Sequence, residues 1–464
     1  MLDQLTICAI STPPGIGGIA VIRLSGKEAM PIAEKVFQSP IAGKKLNVQP
    51  ANTLHFGLIL SGETVIDEVV ISLFRSPHSF TGEDIVEISC HGSVYVQQQI
   101  LQLLIANGAR MARPGEFTQR AFLNGKMDLS QAEAVADLIA SSNSAAHRLA
   151  ISQMRGGFSK EINQLRAELL RFSALIELEL DFSEEDVEFA DRSSLIELSE
   201  RICRLLKKLT ESFRLGNVIK NGIPVAIIGE TNVGKSTLLN ALLNEDKAIV
   251  SDIHGTTRDV IEDVMNIDGT LFRFADTAGI RDTTDVIESM GIERSYHQLT
   301  KAAIILLVTD MSGKVAPILE RIQSIREKID RQQLIIVANK SDISTQEAKN
   351  QLSVFPLLPN ESLVFLAAKT RTNLDELIQL MKKAIDFESI GPEEVIVSNM
   401  RHFEALTLAY EAIQKVVEGL KSGISGDFLA QDIRECLHYL GEITGEVSND
   451  EVLGYIFKNF CIGK

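Results

Sequence analysis

The sequence predicts a multidomain fold: an α+β domain at the amino-terminal end, then an all-α domain made from two segments, with an α/β domain inserted between those segments. Three observations carry this expectation. A length of 464 residues exceeds what one hydrophobic core accommodates and calls for about two to four domains. The apolar pattern changes from strand-like runs to helical spacing, and near residue 223 it changes again, to strands alternating with helices. Two helical stretches, each with an apolar face to bury, flank that alternating block, so they are expected to pack on one another around an insertion. The expected domains are 1–118, 119–217, 218–387 and 388–464.

The first domain mixes the β-type runs GIAVIRL, VIDEVVISLF and DIVEISC with Gly, Pro and Asn punctuation. A turn at Asn124-Gly125 then leads into MDLSQAEAVADLIASSN, where Ser130 and Glu133 have capping-box spacing. Helical periodicity runs to about residue 217, broken by the acidic DFSEEDVEFADRSS. From 223 the strands PVAIIG, AAIILLV and QLIIVAN alternate with helices, the pattern of a mostly parallel sheet. After GPEEV, the segments FEALTLAYEAIQKVVEGL and DFLAQDIRECLHYLGEITG carry apolar stripes at helical spacing.

Composition narrows the function classes. With 45% hydrophobic and 23% charged residues, the chain should fold throughout. A net charge of −16 opposes sequence-independent attraction to phosphate backbones, so any nucleic-acid contact is local or partner-assisted. The cysteines, Cys8, Cys90, Cys203, Cys436 and Cys461, are far apart and form no C-x-x-C pair, which points to a reducing compartment. The opening MLDQLTICAISTPPG lacks the basic n-region of a signal peptide, and AAIILLV is far shorter than the roughly 20 residues of a membrane span. A cytoplasmic protein with no membrane partner is expected.

Three ordered motifs carry the chemistry. GETNVGKS at 229–236 follows the strand IPVAII and opens the helix STLLNALL, the context of a phosphate-binding loop. Backbone N–H groups close around phosphates there, Lys235 reaches the β/γ oxygens, and Ser236 offers a hydroxyl to Mg²⁺. DTAG at 276–279 follows TLFRFA, which puts Asp276 at a strand's carboxyl end, able to hold the magnesium shell, with Gly279 able to sense the γ-phosphate. Between them, in SDIHGTTRD, a switch loop should supply a hydroxyl to Mg²⁺, and Thr257 is the choice over Thr256. NKSD at 339–342 follows LIIVA, and Asp342 can accept hydrogen bonds from N1–H and the exocyclic amine of guanine, a pattern that adenine lacks. AAKT at 367–370 can cover the base. The expected GTP-binding set is Asn232, Val233, Gly234, Lys235, Ser236, Thr237, Thr256, Thr257, Asp276, Thr277, Ala278, Gly279, Asn339, Lys340, Asp342, Ala367, Ala368 and Lys369, to which the resemblance given next adds Ser251. The residue after DTAG is Ile280, which cannot hold an attacking water, so another group must. Glu288, Asp282 and Asp285 are the nearby carboxylates, and each would ordinarily be a solvated surface charge.

With these motifs in place, TPPGIGGIAVIRLSG, SFTGEDIVEISCHG, ARPGEFTQRAFLNGKMDLSQAEAVADLI, GTTRD with DTAGIRD, and EITGEV through FCIGK identify the chain as resembling the bacterial tRNA-uridine modification GTPases of the MnmE/TrmE type. The resemblance implies an N-terminal folate-binding domain, a helical domain from two segments and an inserted Ras-like P-loop G domain. It implies a homodimer working with an FAD flavoprotein of the MnmG/GidA type, as a heterotetramer, on C5 of the wobble uridine of tRNA. The one-carbon donor would be 5-formyl- or 5,10-methylene-tetrahydrofolate, held by Arg23, Glu87, Lys126 and Lys464, with Cys461 near the one-carbon unit or merely buried. The resemblance also implies K⁺ bound through Asn232, Ser251, Ile253 and Thr256, and it singles out Glu288 as the catalytic residue that orients water. Two departures from the family pattern are visible: Glu230-Thr231, where a residue followed by proline is usual, and Ala367, where serine is usual. A regulatory or RNA-assembly GTPase without covalent chemistry is the alternative, and it would need no folate site.

Outside these motifs, GIGG at 15–18 precedes a strand and is no dinucleotide fingerprint, and Arg201, Arg204 and Lys208, which share a helix face, read as a solvated stripe ahead of a tRNA platform, given the acidic whole.

Overall fold

The computed structural model describes residues 5–181, 192–244, 248–249, 263–267, 270–274, 302–329, 332–384, 395–447, 450–458, 460 and 462–463. Two compact units emerge, one of residues 1–140, 150–207 and 404–464, the other of 141–149 and 208–403.

Period-two alternation builds the first sheet. β1 (Ile7–Ile10), β2 (Gly17–Ser25), β3 (Phe37–Gln38), β4 (Thr53–Ser61), β5 (Thr64–Phe74), β6 (Ile85–Gly92) and β7 (Arg110–Met111) assemble in the order β3-β4-β5-β6-β2-β1-β7. All neighbours are antiparallel except β1 and β7. One face buries Ile22, Leu24, Ile59, Val69, Ile71, Leu73, Val86 and Ile88 against α1 (Ala29–Val36) and α2 (Val94–Ala106). The alternate positions carry Arg23 and Glu87, paired in register on β2 and β6. A third helix, α3 (Glu116–Leu123), precedes the Asn124-Gly125 turn, so helix begins earlier than the spacing after that turn predicts.

The next helices are α4 (Leu129–Ala140), α5 (Ser144–Met154), α6 (Gly157–Asp181) and α7 (Arg192–Asn221). The capping box of α4 sits two residues earlier than Ser130 and Glu133. Asp128 Oδ1 accepts the Gln131 amide at 2.9 Å, and Gln131 Oε1 accepts the Asp128 amide at 3.0 Å. Ser130 and Glu133 are buried inside the helix instead, with Ser130 Oγ 2.7 Å from Ser159 Oγ. The reason is chemical: an aspartate and a glutamine satisfy the reciprocal pattern as well as Ser and Glu do.

In the second unit, β8 (Ile223–Ile228) leads into α8 (Lys235–Leu243), followed by β9 (Ala248–Ile249), β10 (Asp263–Ile267), β11 (Thr270–Phe274) and β12 (Ile304–Asp310). Then come α9 (Ala316–Arg326), β13 (Gln333–Asn339), α10 (Gln346–Ser353), β14 (Glu361–Phe365) and α11 (Leu374–Lys383). The strand order is β14-β13-β12-β8-β11-β10-β9, with the first five parallel and the β11-β10-β9 edge antiparallel. The strands are apolar on both faces because both are covered. Val225, Ile227, Leu306, Val308, Ile335 and Val337 pack with Leu238 and Leu242 of α8 and Leu377, Ile378 and Met381 of α11. Ala226, Ile305, Leu307 and Ile336 pack with Ile318, Ile322 and Ile325 of α9 and Leu352 of α10. Fully burying one such Leu or Ile contributes about 1.5–3 kcal/mol, so the sheet gives the loops at its carboxyl edge a stiff base.

The chain ends in α12 (Met400–Ser422), α13 (Gly426–Thr444) and α14 (Asp450–Lys458). α13 packs on α6 and α4, and α14 on α3. The two helical segments that flank the inserted α/β block therefore do meet, as their apolar stripes required. Among the described residues, no helix is long and apolar enough to cross a membrane.

Candidate nucleotide site

The loop between β8 and α8 is shaped by two glycines whose roles are steric. A Cβ on Gly229 would collide with the carbonyl of Val308, and one on Gly234, at φ +100°, with the side-chain amide of Asn339. Asn232 adopts φ +63°, a left-handed conformation that asparagine tolerates better than most residues. Lys235 opens α8 and reaches back over the loop, its Nζ donating to the carbonyls of Gly229 at 2.9 Å and Glu230 at 2.6 Å. Burial lowers its pKa, Arg321 lowers it further, and Glu230 partly offsets the effect. Ser236 follows, half-buried, and Thr237 is exposed.

One side chain ties the motifs together. Asn339, 3% exposed, donates from Nδ2 to the Val233 carbonyl at 2.8 Å and accepts the Ala368 amide on Oδ1 at 3.0 Å. The phosphate loop, NKSD and AAKT are thus joined through a single amide. Lys340 is held at φ +58°, with its Nζ 2.6 Å from Asp310 Oδ2. The other oxygen of Asp310 accepts the amide and hydroxyl of Ser312 at 2.8 and 2.7 Å. Burial opposes ionisation of Asp310, but these donors outweigh it and hold its pKa below the usual carboxylate range. Asp342 is exposed on the same loop, while Ser341 is buried and donates its amide to Leu366 O at 3.1 Å. Ala367 is 2% exposed in a turn closed by reciprocal backbone bonds to Thr372, both 3.2 Å, so alanine in place of serine leaves the turn intact. Lys369 is exposed beside it.

Ser251, Ile253, Thr256, Thr257, Asp276, Thr277, Ala278, Gly279, Ile280, Asp282, Asp285 and Glu288 lie outside the described residues. The described part is therefore the phosphate-loop and base-reading half of the site. Asp310 and Arg321 belong to its surroundings and were missed from sequence. Asp310 had a signal, since it ends an apolar strand at the carboxyl edge of a parallel sheet, where such folds bind ligands. Arg321, on a helix far along the chain, had none.

Comparison with known proteins fits this geometry. The family description "GTP-binding protein TrmE N-terminus" matches residues 6–126, and "MnmE helical domain" matches residues 129–461. The tRNA modification GTPase MnmE of Bacteroides thetaiotaomicron is 58% identical over 467 residues, covering 100% of both chains. The proteins of the same name from Parabacteroides distasonis and Flavobacterium johnsoniae are 56% and 53% identical, covering 99% and 100% of this chain and 100% of each relative. The chain belongs to the MnmE family of tRNA modification GTPases. It is a GTP-binding GTPase, with the N-terminal TrmE domain, the helical domain and the P-loop G domain that its sequence predicted.

The MnmE-type N-terminal domain brings two of the expected folate residues into contact. Arg23 donates from Nε to Glu87 Oε1 at 2.8 Å, and its guanidinium lies 5.6 Å from the Phe80 ring centroid and 5.7 Å from that of Phe117. Lys126 is not in that pair: its Nζ donates to the Pro77 carbonyl at 2.9 Å, on the loop that also carries Phe80. Lys464 and Cys461 lie outside the described residues, although Gly463 O accepts the Ser11 hydroxyl at 3.0 Å, bringing the chain's end to the β1–β2 connection. On the helices, Arg201 pairs with Glu168 at 2.6 Å and Arg204 with Glu200 at 3.9 Å, in keeping with a solvated, charge-balanced stripe.

Proposed function

We propose that this GTPase hydrolyses GTP in a K⁺-dependent cycle and, with an FAD flavoprotein of the MnmG/GidA type, installs an aminomethyl or carboxymethylaminomethyl group at C5 of the wobble uridine, position 34 of tRNA. The carbon would come from 5-formyl- or 5,10-methylene-tetrahydrofolate. The observation that carries this reading over a purely regulatory GTPase is the Arg23–Glu87 pair, flanked by Phe80 and Phe117 on the N-terminal sheet. Its cation and carboxylate, with the half-buried Phe80 ring beside them, are what a pterin and its acidic tail would use, while the fully buried Phe117 backs Arg23. Arg23 and Glu87 would exchange their mutual bonds for bonds to the ligand, Glu87 accepting ring donors, with Lys126 and Lys464 available to the glutamate tail.

In the G domain we assign the phosphates to the loop amides of 232–237 and to Lys235, and the base to Asn339, Lys340, Asp342 and the 367–369 turn. We assign Mg²⁺ to Ser236 and Thr257, and K⁺ to Asn232, Ser251, Ile253 and Thr256. This donor set of hydroxyl, amide and carbonyl oxygens suits hard cations. When bound, the ions supply positive charge next to the transferring phosphoryl group. Glu288 would orient the attacking water that Ile280 cannot hold. The domains are 1–118 for folate and dimerisation, 119–217 and 388–464 for the helical domain, and 218–387 for the G domain. The chain acts as a homodimer, in a heterotetramer with the flavoprotein, in the cytoplasm.

The test is reconstitution with unmodified tRNA, the flavoprotein, GTP and K⁺. Formation of the C5-substituted nucleoside only when the folate donor is added supports the reading. Brisk GTP turnover with no folate-dependent product on tRNA would favour the regulatory alternative.

A further inference from the structure

Glu230 puts a carboxylate into the loop that wraps phosphate. Its backbone carbonyl accepts Lys235 Nζ at 2.6 Å, and its side chain accepts Arg321 NH2 at 2.9 Å. Arg321 sits on α9, which is anchored to the sheet through Ile318, Ile322 and Ile325. The side chains of Arg321 and Glu230 are 45% and 63% exposed, and an exposed pair of this kind adds little to folding. Its consequence is electrostatic. A lone anion beside bound triphosphate would repel it, whereas a neutralised one would not. A cavity of about 240 Å³ lined by Gly229, Glu230, Val308, Asp310, Lys314 and Arg321 runs along this side of the loop.

We propose that Arg321 is a positioning residue for the nucleotide phosphates: it cancels the Glu230 carboxylate and fixes residue 230 so that Lys235 keeps its carbonyl anchors. The inference rests on the reading of 229–236 as the phosphate loop, and it gives a carboxylate in that loop a partner that family resemblance alone does not supply.

The experiment is a double-mutant cycle on the full chain, with dissociation constants for fluorescent GTP and GDP analogues measured at about 0.05 M and about 0.5 M salt. Arg321→Ala should weaken GTP about fivefold and GDP less, because GTP carries more charge, and the loss should shrink in high salt. Glu230→Gln should tighten GTP by about twofold, and Arg321→Ala should cost clearly less in that background than in the wild type, because Arg321 then loses only its bare charge and no longer has a carboxylate to hold in place. Arg321→Lys should recover most of the loss and serves as the variant if Arg321→Ala folds poorly. Equal losses from Arg321→Ala with and without Glu230, or no loss in either background, would overturn the inference. Absence of GTP binding by the wild-type chain, or GTP affinity indifferent to Lys235→Ala, would overturn the phosphate-loop reading itself.

Discussion

Replacing Asn339 by alanine removes a side chain that bridges three nucleotide motifs. The amide is 3% exposed and makes two bonds, 2.8 Å to Val233 O and 3.0 Å from Ala368 N. Its loss leaves a buried carbonyl and a buried amide without their partner, each costing about 1–3 kcal/mol. Taking the middle of that range for one group and the low end for the other gives about 3 kcal/mol, or roughly 150-fold in Kd if the site must reassemble on binding. The loss should appear for GDP and GTP alike, because the bridge lies between loops and not at the γ-phosphate. Titration with a fluorescent GDP analogue measures it, with circular dichroism melts as the folding control. A Kd within about fivefold of wild type, in a folded variant, would refute the argument that this bond pair assembles the site.

Other outcomes follow from the same geometry. Asp342→Asn should reverse base preference towards xanthine, whose 2-carbonyl accepts where guanine's amine donates, and competition between GDP and XDP tests it; unchanged guanine selectivity would remove Asp342 from the base site. Asp310→Ala should release Lys340 and raise the GDP Kd by about three- to tenfold, and no further loss should follow in a Lys340→Ala background if the two act as a pair. Burial would raise the pKa of Glu116, but donors from Arg110, the Arg113 amide and Arg120 outweigh it and pull it down to about 2 from 4.5. Its folded pKa is depressed, so its contribution, about 3 kcal/mol, is present above about pH 4.5 and is lost as pH falls towards 2. Melts of wild type and Glu116→Gln should therefore differ at about pH 5 and converge at about pH 2, and a constant gap would contradict the assignment. Turnover should rise strongly in K⁺ over Na⁺ at equal ionic strength, and Glu288→Ala should slow single-turnover hydrolysis by about 10²- to 10⁴-fold while sparing GTP affinity.

The nucleotide loops were legible because their chemistry is local: Gly229, Gly234 and Lys235 are dictated by a strand-loop-helix turn, and Asn339 and Asp342 close a strand that reads as one apolar run. Period changes likewise pointed to a mostly parallel sheet and to packing between the two helical segments, since apolar faces must be buried somewhere. What escaped depends on groups distant in sequence. Asp310 holds Lys340 from a neighbouring strand, Arg321 meets Glu230 across 91 positions, and Arg23 turns out to be held by Glu87, 64 residues away. The capping box of α4 was misplaced by two residues because Ser130-x-x-Glu133 and Asp128-x-x-Gln131 both fit the spacing, and only burial decides between them.

Under the proposed function, a working GTP site is required for covalent modification of tRNA. Nucleoside analysis of tRNA from cells whose only copy of the protein carries Lys235→Ala tests it most directly. Wobble uridines should lack their C5 substituent, as in cells without the protein, while the variant accumulates to wild-type levels. Fully modified wobble uridines in those cells would contradict it.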